Sequence, residues 1–142
     1  IPEPTYGPSA QQAGNDWIIL RYSDVLLMHA EAILAGGAQT NSSAAIDSYM
    51  EVRVRAGFDA VTDRPSILTK EALLVERRVE LAFENQRFFD LVRFGVANEV
   101  IGNYATSQGF NDYDARQLLL PIPSREINLS GTPPLLGQNP GY

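Results

Sequence analysis

The chain contains no cysteine and a single histidine, His29, in 142 residues. Without thiols there is no disulfide framework and no thiolate nucleophile, and one imidazole cannot assemble a multi-histidine metal site. No metal centre and no cofactor are expected. Basic residues are also scarce, eleven Lys and Arg against seventeen Asp and Glu, which leaves a formal charge of −6. Such a surface repels phosphate backbones, so nucleic-acid binding is not expected. Long apolar runs are missing: the longest are four residues, such as Val25-Leu26-Leu27-Met28. A membrane-spanning helix needs about 20 consecutive apolar residues. No G-x-S-x-G, P-loop or G-x-G-x-x-G spacing occurs, and no alternating strand pattern of useful length.

What remains has ordinary globular composition, 44% hydrophobic and 20% charged, enough for one domain with a real core. The sequence starts at Ile1-Pro2 with no charged-then-apolar leader, and it reads as part of a longer chain. Residues 1–16 hold three Pro and two Gly and form an irregular lead-in; Trp17 reads as a packing residue. Residues 17–142 read as one helical region.

Ser23 and Asp24 can cap a helix over 25–35 that stops at Gly36-Gly37. Thr40-Asn41-Ser42-Ser43 offers caps for a second helix over 44–56, closed by Gly57. Small residues on both (Ala30, Ala32, Ala35; Ala44, Ala45, Ala56) permit close helix approach. The pair has the character of a tetratricopeptide-type hairpin, whose repeat is about 34 residues. Thr69 caps a third helix over 70–84, and a fourth runs over 87–94, weakly extended to 101. Residues 102–116 read as a long surface loop and 128–142 as an irregular tail. The predicted class is therefore all-α: helical hairpins, long irregular loops and an irregular C-terminal tail.

Two groups of side chains bear chemistry. On the third helix Ala72, Val75, Val79, Ala82 and Phe83 form one apolar arc and Leu74 and Leu81 another, with Arg78 between them. Arg53 shares a face with Ile46. Arg53 and Arg78 are thus expected to form structural ion pairs with Glu76, Glu80 or Asp90. Acids interleaved this densely with arginines stay ionised, which argues against the raised-pKa acid that glycoside hydrolysis requires. Phe83, Phe88, Phe89 and Phe94 recur at helical spacing and read as core. The second group, Asn103, Tyr104, Phe110, Asn111, Asp112 and Tyr113, combines aromatic rings with amide and carboxylate groups, the mixture a glycan contact uses.

The order of blocks is more specific than any one of them. Arg21-Tyr22-Ser23-Asp24-Val25-Leu26-Leu27-Met28 with Ala30-Glu31-Ala32, then Val52-Arg53-Val54-Arg55-Ala56-Gly57, then Glu76-Arg77-Arg78-Val79-Glu80-Leu81-Ala82-Phe83-Glu84 resembles the SusD/RagB family. So do Arg87 to Gly95, the Leu120-Pro121-Ile122-Pro123 run with Glu126-Ile127, and the closing Gln138-Asn139-Pro140-Gly141-Tyr142. His29 stands where this motif usually has Tyr. The resemblance implies the C-terminal part of a surface lipoprotein, lipid-anchored through a segment these residues do not include, exposed on the Gram-negative outer membrane. It implies a non-catalytic glycan-binding partner of a TonB-dependent transporter, with an oligosaccharide ligand held mostly by upstream segments and this segment mainly scaffold. A peptide-binding RagB-like member is the alternative, and a glycoside hydrolase the more distant one.

Overall fold

The computed structural model describes residues 18–110 and 112–142. The lead-in over 1–16, Trp17 and Asn111 lie outside them. Helices dominate, as the all-α reading expects: α1 Tyr22–Leu34, α2 Ser43–Arg55, α3 Lys70–Glu80, α4 Arg87–Arg93, α5 Ala97–Ser107 and α6 Ser124–Leu129. A two-residue antiparallel pair joins β1 Gln39–Thr40 to β2 Leu68–Thr69, with Gln39 opposite Thr69 and Thr40 opposite Leu68. The chain divides into two compact units between Arg87 and Phe88.

In the first unit α1 packs on both α2 and α3. Leu27, Ala30 and Leu34 of α1 meet a core completed by Ala45, Ile46, Tyr49, Met50 and Val52 of α2, and by Leu68 and Leu73. Of the six small residues expected at the hairpin seam, Ala30 and Ala45 are fully buried while the other four are exposed. His29 Nδ1 lies 2.8 Å from the hydroxyl of Ser48 on α2, a boundary contact.

The buried stripe of α3 differs from the expected one. Leu73, Glu76 and Arg77 are buried, positions that follow the i, i+3, i+4 rule with two charged members. Arg77 is 2% exposed and donates from Nη1 to Asp24 Oδ1 at 2.9 Å. Arg78, about 100° further round the helix, is exposed. The expected arc of Val75, Val79, Ala82 and Phe83 also faces outward. The cause is Asp24: it sits inside the first turn of α1, buried, rather than capping it, and it draws Arg77 inward. Arg21 becomes the N-cap residue, its carbonyl accepting from Asp24 N and Val25 N.

Helix α3 starts as expected, with Thr69 Oγ1 accepting from Ala72 N at 3.1 Å. It ends at Glu80 rather than 84, because the next turn contains left-handed backbone at Phe83 (φ 67) and Asn85 (φ 60). Phe83 is 99% exposed, and Phe88 and Phe89 are exposed too, packing edge-to-face on each other. Of the four phenylalanines assigned to the core, Phe94 is the one buried.

In the second unit the first six residues of the expected loop, 102–107, are helical. A glycine-terminated turn closes α4, with Gly95 N donating to Val92 O and Val96 N to Leu91 O. Helix α5 follows at once, anchored by buried Ala97 and Ala105. Two of the motif blocks then clamp together. Pro121 and Pro123 have no N–H, and Ile122 between them is paired by one side chain. Gln138 accepts from Ile122 N at 2.7 Å and donates to Ile122 O at 2.9 Å, standing in for a neighbouring strand. Asn139 Nδ2 donates to Leu120 O, and the Tyr142 hydroxyl to Leu119 O. Arg116 holds the Gly141 carbonyl and lies over the Tyr142 ring. Gly141 is required there: its φ is +90, and a Cβ would lie 2.9 Å from Arg116 Cδ.

Removing Arg77 strands the buried Asp24 carboxylate, a loss that costs about 3–5 kcal/mol. Arg77→Ala is therefore expected to lower the urea midpoint steeply. Arg78→Ala, on the open face, is expected to stay within about 0.5 kcal/mol of wild type. Equal losses in the two variants would contradict this assignment.

Candidate functional site

In the first unit Glu76, Glu80 and Glu84 meet Arg21, the N-cap residue of α1, and Arg53 and Arg55 of α2. Glu76 accepts from Arg53 Nη1 at 2.8 Å, and the Arg53 guanidinium lies 3.7 Å from the centroid of the Phe58 ring and 5.4 Å from that of Tyr49. Glu80 is the hub. Arg21 Nη1 reaches its Oε1 at 2.5 Å, and Arg55 Nη2 lies 2.7 Å from both of its oxygens. Arg21 also donates through Nε to both oxygens of Glu84 at 3.0 Å, and through Nη1 to the Ser23 hydroxyl at 2.8 Å. In the second unit Asp90, buried, accepts from Arg93 Nη2 at 2.8 Å.

This arrangement sets the protonation states. Burial pushes the Glu80 carboxyl upward, but hydrogen bonds from Arg21 and Ser23 and the charges of Arg21 and Arg55 outweigh it and hold the group below its ordinary value. The Arg21 guanidinium, hydrogen-bonded to Glu84 and Glu80 against a desolvation cost, is pushed up. Burial raises the Tyr49 phenol. Asp59, capping Thr62 N and Val61 N, is held low by those backbone donors. A general acid for glycosidic cleavage needs the opposite shift, so Glu80 is suited to holding helices and unsuited to giving a proton.

Of the aromatic and amide set, Asn103, Tyr104, Phe110, Asp112 and Tyr113 are among the described residues and belong to the second unit. Asn103 and Tyr104 are exposed on α5. The helix ends in a glycine turn at Gly109 (φ +73), where Gly109 N donates to Thr106 O and Phe110 N to Ala105 O. Phe110 and Asp112 beyond it are exposed. Tyr113 is half-buried: its hydroxyl donates to Asn98 Oδ1 at 3.0 Å, and its ring lies against Gly102, where an added Cβ would meet Cε1 at 3.4 Å. Tyr104 follows Gly102 by about 200° of helical rotation. Tyr113 thus lies on the Gly102 side of α5, and Tyr104 points away from that side.

A concavity that the sequence reading passed over lies beside the short strand pair. Gln39, Thr40, Asn41 and Ile67 line a space of about 340 Å³. In the sequence, Thr40-Asn41 carries only a helix-cap signal, and a two-residue ladder is too short for periodicity to announce. Among the described residues no group of three or more His, Asp or Glu side chains is placed to hold a metal ion.

The lowered value at Glu80 fixes the sign of a pH effect. The unfolded chain binds the Glu80 proton at higher pH than the folded one, so the hub stabilises the fold at neutral pH. That contribution is lost as pH falls from the ordinary glutamate range through the depressed folded value. Melting temperatures measured from pH 7 down to pH 3 are expected to fall steeply for wild type. They should fall less steeply for Glu80→Gln, which starts lower at pH 7. Parallel curves would contradict the hub assignment.

Comparison with known proteins places the chain. The model of the SusD family matches residues 3–142. SusD-like protein P2 of Formosa agariphila is 30% identical over 96% of this chain, and SusD-like protein P38 of the same organism is 36% identical over 60% of it. The chain spans 28% of the length of the first relative and 18% of the second. No solved structure matches it significantly. Matched almost from end to end, and helical as the motif blocks imply, this chain belongs to the SusD family.

Proposed function

We propose that the protein carrying this chain is a non-catalytic, glycan-binding component of a nutrient-uptake system on the outer membrane. In this reading it is lipid-anchored at the cell surface and partners a TonB-dependent transporter. This segment acts mainly as scaffold. The observation that carries the reading is the meeting of the motif blocks: Arg21 and Arg55 pair with Glu80, Arg53 with Glu76, and Arg77 with Asp24. Residues of the motif blocks are spent on joining helices. Family membership supplies the ligand class.

Titration calorimetry against neutral oligosaccharides and against short peptides tests the proposal, with reducing-end release followed in parallel. The expected result is saturable binding of an oligosaccharide with no release. Peptide binding without sugar binding would move the protein to the peptide-capturing reading, and released reducing ends would make it a hydrolase.

A further inference from the structure

We propose that the β1–β2 ribbon carries a small subsite for a neutral saccharide, built from Gln39, Asn41 and Ile67. The inference rests on the glycan-binding reading above and names a place for it. In the antiparallel register Gln39 faces Thr69 and Thr40 faces Leu68. Carried one residue further, it sets Asn41 opposite Ile67. Side chains alternate along extended backbone, so Gln39, Asn41 and Ile67 share the outer face, while Thr40 and fully buried Leu68 turn toward the core. Directly opposed side chains on such a face are about 5 Å apart.

The chemistry of that face is selective. Each primary amide offers a carbonyl acceptor beside an NH₂ donor, a spacing that matches two adjacent hydroxyls of a pyranose. Among the described residues, neither the Gln39 nor the Asn41 amide is committed to another hydrogen bond. The Thr40 hydroxyl, on the inner side of the ribbon, accepts from Ser42 N at 3.2 Å and fixes the chain around Asn41. Ile67, 44% exposed, gives an apolar rest for the ring's C–H face. Among the described residues that line the space none is charged, which favours a neutral sugar over a uronate, as does the chain's formal charge of −6. A volume of about 340 Å³ is at the small end of the ligand-cleft range of roughly 300–1,000 Å³, enough for one or two rings. The lining is held firmly, since the ladder fixes β1 against β2 and Lys70 N donates to Ala38 O at 2.8 Å.

The test titrates wild type, Gln39→Ala/Asn41→Ala and, as a control on the exposed face of α3, Arg78→Ala with glucose-, mannose-, galactose- and xylose-based trisaccharides, a galacturonate trisaccharide and short peptides. Melting temperatures are read alongside. The expected outcome is binding of at least one neutral trisaccharide, weakened tenfold or more in the double variant, unchanged within twofold in Arg78→Ala, with equal melting temperatures. Unchanged affinity in the double variant would overturn the subsite while leaving the glycan reading in place. Tighter binding of the galacturonate than of every neutral sugar would overturn the neutral assignment. Peptide binding with no sugar bound at all would remove the glycan reading and the subsite with it.

Discussion

Helices α1 and α3 of the first unit are joined by a buried ion pair. Asp24 of α1 and Arg77 of α3 are both almost wholly withdrawn from water and meet at 2.9 Å. Desolvating two charges is costly, and the cost is recovered only when geometry is right. Such a pair penalises every arrangement in which one partner is buried without the other. It therefore selects one register of α3 against α1. The surrounding pairs extend the constraint: Arg53 ties α2 to Glu76, and Arg21 and Arg55 hold Glu80 from two sides.

That constraint explains how far the sequence could be read. The existence of helices α1 to α3 was legible from the glycines that follow α1 and α2 and from the Thr69 cap of α3, which is where the side chain predicts it. The phase of α3 was not. Apolar periodicity ranks Val75, Val79 and Phe83 above a stripe containing Glu76 and Arg77, yet the charged stripe is the one buried. Burial of charge is decided by partners distant in sequence, Asp24 and Arg53, and no local pattern records them. Helix α5 was missed for a related reason. Gly102, Asn103 and Thr106 are weak helix formers, and packing at Ala97, Ala105 and Tyr113 overrides them. Of the aromatic and amide set, the residue types were readable and the facing was not, since Tyr113 turns inward onto α5 and Tyr104 does not.

The second unit solves a different problem with side-chain amides. Prolines at 121 and 123 prevent a regular ladder, and Gln138 and Asn139 supply the missing partners to Ile122 and Leu120. Two blocks far apart in sequence thus belong to one structural device, much as three blocks of the first unit are joined by ion pairs. In both units residues of the motif blocks serve architecture.

The most direct measurement is a double-mutant cycle on Asp24 and Arg77, with urea unfolding of Asp24→Ala, Arg77→Ala and the double variant. If the pair fixes the register of α3, the two losses overlap. The double variant is then little worse than either single one, and the coupling energy approaches the loss of one single variant. Losses that simply add, with coupling near zero, would contradict the claim that this buried pair holds the helices together.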